Sequence, residues 1–233
     1  MAVFVVAHGA WAAGWAWKKM RPLMAAAGHT LFTPTYTGLG ERAHLAHSDL
    51  NLESHIRDML AVFEFENLRN VILIGHSYGG MVATGVADRL RDKIRHLVYL
   101  DAFVPEDGMS AADYMPADRA ELMVKSAVDG WKVPPSPAPP DTTLEDAAWV
   151  MARRVPTPLQ CFEQKLVFKN GPLSLPRTYI YAQRHNPGDP FRQFMDRARA
   201  DGWPVYEMDA SHSPHVTAPE ALMGILQKVA ASG

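Results

Sequence analysis

Val71-Ile72-Leu73-Ile74-Gly75-His76-Ser77-Tyr78-Gly79-Gly80 is the stretch from which the fold of this 233-residue chain is read. Four apolar residues, most of them β-branched, predict a strand buried on both faces. A Gly-x-Ser-x-Gly pattern follows at once, at Gly75, Ser77 and Gly79. From Met81 to Leu90 the spacing becomes helical, with Val82, Val86 and Leu90 on one stripe. A strand that turns directly into a helix needs a tight corner. The residue at its apex, Ser77, is held in a strained backbone with its side chain clear of both elements. At Gly75 and Gly79 a Cβ would collide with the crossing backbone. The amide after the serine lies near a helix N-terminus, where unpaired N–H groups and the dipole favour negative charge. The pattern alone is a weak signal. Its setting, between a buried strand and a small-residue helix, makes Ser77 a candidate nucleophile rather than an idle turn residue.

Outward from this corner the chain alternates. Val3 to Ala7 reads as a first buried strand ending in His8-Gly9-Ala10-Trp11. Residues 14–28 read as helix, stopped by Gly28, and His29 to Thr33 as a second strand. Residues 34–42 form a loop. Asn51 can cap a helix whose Leu52, Ile56, Met59, Leu60 and Phe63 share a face. Ile94 to Leu100 is the next strand and ends at Asp101. Strand–helix alternation of this kind implies a parallel α/β sheet covered on both faces by right-handed crossovers.

The pattern breaks between residues 105 and 175, where no buried strand is expected. Helices are predicted near 110–129, 143–153 and 157–168, with a proline-rich run over 133–140 that can be neither helix nor inner strand. Too little chain follows for a second domain. The expectation is therefore a core of residues 1–104 and 176–233, with 105–175 inserted as a helical lid over the C-terminal edge of the sheet. Thr178 to Ala182 and Val205 to Met208 resume the strands, with a helix over 190–201 between them. The last helix is expected to open with a capping box of Thr217 and Glu220 and to bury Leu222, Ile225, Leu226 and Val229.

Composition excludes several classes. The chain is 48% hydrophobic, enough for one sizeable core, and its formal net charge of -2, without charge runs, points away from nucleic acid and anionic membranes. No apolar stretch is long enough to span a bilayer. The first residues lack a signal peptide's basic start. The single cysteine, Cys161, forbids an intrachain disulfide and fits a reducing, cytoplasmic compartment. A homodimer is left open.

A serine hydroxyl needs a base to take its proton. His212, in Asp209-Ala210-Ser211-His212-Ser213-Pro214 between the sixth strand and the last helix, is placed for it. His215 is the nearest rival, though packing or capping explains it as well. His44, His47, His55, His96 and His185 fall in polar loops or on helix faces. No His-x-His or His-Glu-x-x-His spacing suggests a metal site. The oxyanion of acyl transfer needs two preset N–H donors. Tyr78 N–H, just after the serine, is one candidate. Ala10 N–H, in the loop that Gly9 lets approach a substrate, is the other.

The motifs Ala7-His8-Gly9-Ala10-Trp11, Gly14-Trp15-Ala16-Trp17, Thr37-Gly38-Leu39-Gly40-Glu41-Arg42, Gly75-His76-Ser77-Tyr78-Gly79-Gly80, Tyr99-Leu100-Asp101-Ala102-Phe103-Val104-Pro105 and Val216-Thr217-Ala218-Pro219-Glu220 carry a resemblance. The chain resembles α/β-hydrolases of the plant methylesterase and hydroxynitrile lyase type, and more closely bacterial carboxylesterases of that branch, pyrethroid-hydrolysing ones included. The resemblance spans nearly the whole chain and is weakest at 105–175. It implies an α/β-hydrolase fold with a mostly parallel six-stranded sheet, and a cofactor-free Ser/His/acid mechanism on a small-molecule ester. Aromatic or bulky hydrophobic esters are what it suggests. Gly9, Trp11, Trp15, Tyr36, Trp131 and Trp149 are candidates to shape the pocket, each with core packing as the competing explanation.

Two departures matter. Hydroxynitrile lyases of this group carry a threonine in the first-strand segment and a lysine directly after the catalytic histidine. Here Gly9 and Ser213 stand in those places, and His76 precedes the nucleophile. Without a cation for leaving cyanide, the lyase reading is disfavoured. Plant members place the acid just after the fifth strand, but residues 181–186 hold no carboxylate. Asp101 is the expected acid. It ends the strand beside the serine strand, about 4.8 Å away, after an apolar run where an unpaired charge is costly. Asp189 is its rival, with an N-cap role as the alternative explanation. Asp209 comes too early, and Glu106 and Asp107 read as solvated. An ester hydrolase, a C–C lyase and a non-catalytic ligand-binding member of the same fold are the readings to separate.

Overall fold

The computed structural model describes residues 1–184 and 189–232. The reading of His185 as a residue of a polar loop or helix face falls outside the described residues, as do Asn186, Pro187 and Gly188. In chain order the elements are β1 (Val3–Ala7), α1 (Met20–Ala26), β2 (Thr30–Phe32), α2 (Leu52–Phe65), β3 (Val71–His76), α3 (Gly79–Arg89) and β4 (Ile94–Leu100). They continue with α4 (Ala117–Ser126), β5 (Lys132–Val133), α5 (Leu144–Met151), β6 (Thr157–Pro158) and α6 (Gln160–Glu163). The chain then closes with β7 (Arg177–Ala182), α7 (Arg192–Ala200), β8 (Val205–Met208), α8 (Pro214–Thr217) and α9 (Pro219–Ala231).

Six strands form one sheet in the order β2-β1-β3-β4-β7-β8, and every adjacent pair is parallel. β3 is central, and all its residues are buried, as its unbroken apolar run demands. Val71, Leu73 and Tyr99 face one core layer with α2 and α3. Ile72, Ile74 and Val98 face the other, with α1 and α9. Each fully buried aliphatic side chain here contributes roughly 1.5–3 kcal/mol. α3 is buried along nearly its whole length, so its expected stripe of Val82 and Val86 widens to a full contact surface. α2 starts as expected: Asn51 Oδ1 accepts from Ser54 N–H at 3.1 Å and Ser54 Oγ returns the bond to Asn51 N–H at 3.4 Å.

Gly79 is where the strand-to-helix corner admits no side chain. A Cβ there would lie 2.0 Å from the Ala7 carbonyl oxygen, so β1 and α3 meet backbone to backbone. Ser77 takes a φ of 57° and Asp101 a φ of 44°, both in the left-handed region that side chains rarely adopt. The two residues that leave the C-terminal ends of neighbouring strands β3 and β4 are thus strained in the same sense.

Several expectations are corrected. Residues 105–175 do contain strand: β5 and β6 pair antiparallel, Lys132 with Pro158 and Val133 with Thr157. The helix expected over 157–168 shrinks to α6, because Thr157 and Pro158 are spent in that ribbon. The helix expected over 110–129 starts only after Pro116, behind a short 3₁₀ turn at Ala112–Tyr114. The Thr217–Glu220 capping box is absent. Pro219 opens α9, and Thr217 instead ends α8 with its hydroxyl on the Ser213 carbonyl. Ile225 is only partly buried.

Candidate active site

Three elements bring the candidate residues together at the C-terminal edge of the sheet. Ser77 stands at the corner after β3, its N–H donating to Leu100 O at 3.3 Å and its carbonyl accepting from Phe103 N–H at 3.2 Å. Asp101 follows β4, completely buried. Its N–H donates to Ile180 O at 2.7 Å, and its Oδ1 accepts from Ala182 N–H at 3.2 Å. His212 lies on the loop between β8 and α8. Ser211, beside it, donates from both N–H and hydroxyl to the Asp141 carboxylate. Residues 105–175 therefore hold the histidine loop directly.

His212 Nδ1 lies 2.6 Å from Asp101 Oδ2, and His212 Nε2 lies 2.8 Å from Ser77 Oγ. The carboxylate can only accept, so Nδ1 carries the proton and Nε2 is left to accept from the serine hydroxyl. Asp101 is 0% exposed and the His212 side chain 33% exposed, so the acid is sealed while the imidazole edge stays within reach of a ligand.

The loop after β1 closes on the serine from the other side. A Cβ on Gly9 would lie 3.1 Å from both His76 Nδ1 and Ser77 Cβ, so only glycine lets this loop come so near. Neither Ala10 N–H nor Tyr78 N–H has an acceptor among the described residues. Tyr78 immediately precedes α3, whose N-terminal dipole adds to its pull on negative charge. Trp11 has a φ of 61° and is fixed by three bonds. Its N–H donates to Thr157 Oγ1 at 2.8 Å, its indole N–H to Val133 O at 3.0 Å, and its carbonyl accepts from Val155 N–H at 3.2 Å. The β5–β6 ribbon thus over-determines a strained backbone next to the candidate oxyanion donor.

Buried histidines support the site without joining it. His76 Nε2–H donates to the His212 carbonyl at 2.7 Å. Burial, then the neighbouring His212, pushes His76 down to about 3. His8 Nδ1–H donates to Gly9 O at 2.8 Å, and burial pushes that ring down to about 3 as well. His55, expected in a polar loop or on a helix face, is fully buried in α2. Its Nε2–H donates to Thr37 O at 3.2 Å, its Nδ1 accepts from Tyr78 Oη at 3.0 Å, and burial pushes it down to about 4. His96 is also buried, bonded to Thr178 Oγ1 at 2.9 Å. His215, the rival base, stacks on Trp17 at 4.7 Å, far from bulk water, and burial holds it well below its usual value.

The pocket candidates separate. Trp11 packs on Phe162 at 5.8 Å. Tyr36 is core, sandwiched between His8 at 3.9 Å and His55 at 4.6 Å. Trp149 packs edge-on against Trp15 at 5.3 Å, and Lys132 Nζ sits 4.9 Å over the Trp131 ring. Phe191, none of these candidates, stacks on His212. No motif marks it, since the contact is a tertiary one between residues 21 positions apart.

Asp189 is bonded to Tyr181 and Phe191. Its Oδ2 accepts from Tyr181 Oη at 2.7 Å and its Oδ1 from Phe191 N–H at 2.8 Å. Asp209 is paired with Arg184, and Glu106 with Arg197, at 2.6 Å each. Asp107 Oδ1 accepts from Phe168 N–H at 2.8 Å. Cavities of about 560 Å³ and about 250 Å³ lie elsewhere, and Ser77, Asp101 and His212 line neither. Among the described residues no cluster of His, Cys, Asp and Glu could hold a metal, and no helix is long and apolar enough to cross a membrane.

A family model described as "Alpha/beta hydrolase family" matches residues 3–224. A carbendazim-hydrolysing esterase of Nocardioides sp. (strain SG-4G) is 41% identical over 246 residues, covering 100% of each chain. An extracellular alpha/beta-hydrolase from a Paenibacillus species superposes with a TM-score of 0.87 at 24% identity, covering 98% of each chain. A pyrethroid hydrolase from Sphingobium faniae JZ-2 superposes with a TM-score of 0.79 at 21% identity, covering 99% of this chain and 98% of its own.

Proposed function

The chain belongs to the alpha/beta hydrolase family and is an ester hydrolase, and we propose that it works through an acyl-enzyme on Ser77, with His212 as general base and Asp101 as the acid that orients it. The observation that supports these roles is the unbroken hydrogen-bonded run from Asp101 through His212 to Ser77 at 2.6 and 2.8 Å. In this reading Ser77 Oγ attacks the ester carbonyl carbon as His212 Nε2 takes its proton. The Ala10 and Tyr78 N–H groups donate to the oxyanion, each worth about 10²–10³ in rate. The imidazolium, held by the buried Asp101 carboxylate, then protonates the leaving alcohol. Water repeats the steps and releases the acid. No cofactor enters.

The substrate we propose is a small hydrophobic or aromatic ester. Residues 105–175 serve as the lid. The single buried thiol, Cys161, favours a cytoplasmic location. A cyanohydrin lyase would need a cation beside His212, where Ser213 stands instead. A p-nitrophenyl ester tests the reading. The protein is expected to give a burst of chromophore followed by turnover, and Ser77→Ala to lose about 10⁴-fold or more while staying folded. Retention of a tenth of the activity by that variant would remove Ser77 from its role. Efficient cyanide release from mandelonitrile would overturn the reaction class.

A further inference from the structure

Phe191 lies flat against the imidazole of His212. The ring centroids are 4.9 Å apart and the planes differ by 9°. Phe191 is itself clamped. Its N–H donates to Asp189 Oδ1 at 2.8 Å, and Asp189 Oδ2 accepts from Tyr181 Oη at 2.7 Å. Its ring meets Phe103 edge-on at 5.1 Å. Buried as it is, the ring has little freedom to turn away.

The chemistry gives this contact a direction. His212 is neutral before attack and cationic while the tetrahedral intermediate stands. The face of an aromatic ring is electron-rich and attracts a cation within about 6 Å of its centroid. The attraction acts on the imidazolium far more than on the neutral ring, so it is realised chiefly as the transition state is approached. The buried Asp101 carboxylate favours the imidazolium as well, and the Phe191 face adds to it. Asp101 faces it from the end of β4. His76 faces it from the end of β3, and His215 of α8 packs against His76 at 4.6 Å, both held neutral by burial. Asp141 binds the preceding Ser211.

We propose that Phe191 is a positioning residue that fixes the plane of the His212 ring and favours its protonated form, and that Asp189 serves this site by clamping Phe191. The proposal rests on His212 being the general base. It accounts for a second carboxylate kept two residues from a ring that touches the histidine, without placing that carboxylate on the histidine itself.

The test compares Phe191→Leu, Phe191→Tyr and a trifluorinated phenylalanine incorporated at position 191, following kcat and the acid limb of kcat/KM on one aryl ester. Leucine stays apolar but is smaller and loses the electron-rich face; the fluorinated ring keeps shape but has its face neutralised. Both are expected to lower kcat by about three- to thirtyfold and to move the acid limb to lower pH by about 0.4–1.5 units, with Phe191→Tyr near wild type. The fluorinated variant carries the test if Phe191→Leu does not fold. An unmoved acid limb and unchanged kcat in the folded fluorinated variant overturn the proposal while leaving the Ser77–His212 reading standing. Activity retained by His212→Ala overturns both.

Discussion

Asp101 Oδ2 and His212 Nδ1 stand 2.6 Å apart although 111 positions separate them in the chain. Parallel packing of β4 between β3 and β7 makes the meeting possible. It brings the end of β4 beside Ser77 on one side and Ala182 on the other. Asp189, at 2.7 Å from Tyr181 Oη, faces a neighbouring hydroxyl instead.

This difference sets the first expectation. Asp101→Asn should reduce ester turnover by about 10³–10⁴-fold, because an amide can hold the wrong tautomer of His212 and cannot balance the imidazolium. Asp189→Asn should cost no more than about tenfold, since it only loosens the Phe191 clamp. Steady-state kinetics on one substrate, with circular dichroism to show that both variants fold, checks it. Collapse of Asp189→Asn alone would move the acid to the loop after β7.

Acid should destabilise the fold through its buried histidines. Burial holds His8 and His76 near about 3, His55 near about 4 and His215 well below its usual value. An unfolded histidine titrates near about 6.5. Below that pH the unfolded chain takes up protons that the folded chain refuses. Stability is therefore complete above about pH 6.5 and falls towards about pH 4, by up to about 1.4 kcal/mol per pH unit for each such histidine. Urea midpoints at about pH 7, 6 and 5 should drop steeply. A flat profile would show that these rings are not buried neutral.

Two glycines should fail in different ways. Gly79→Ala drives a Cβ to 2.0 Å from the Ala7 carbonyl and should destabilise the protein by more than about 4 kcal/mol. Gly9→Ala meets His76 Nδ1 and Ser77 Cβ at 3.1 Å, which a shift of the loop can relieve. It should fold and lose about tenfold or more in kcat, because the Ala10 N–H is displaced from the oxyanion. Melting temperature and kcat measured together separate the two. A Gly9→Ala variant with full activity would remove the first-strand loop from the oxyanion site.

The parts of this architecture that were readable from sequence are those built on local signals. The buried run Val71–Ile74, the corner at Ser77, the strand Val205–Met208 and the Asn51 cap all follow from period, glycine placement and side-chain chemistry. The parts that were not depend on tertiary partners. A ribbon of two residues per strand, Lys132–Val133 with Thr157–Pro158, has no period to detect. His55 reads as polar until Tyr78 and Thr37 satisfy both its nitrogens. Phe191 reads as one apolar residue before a helix until the fold lays it on His212. Thr217 with Glu220 has the spacing of a capping box, but Pro219 between them dictates where the helix begins.

Labelling with a fluorophosphonate tests the account's central claim most directly, by locating the nucleophile rather than inferring it from lost activity. The account predicts one covalent adduct per chain, found by peptide mass spectrometry on Ser77, with ester turnover lost in proportion to labelling. Burial pushes the Cys161 thiol up to about 12, so iodoacetamide should leave both the native protein's mass and its activity unchanged. An adduct on any other residue, or full turnover after Ser77 is labelled, would contradict it.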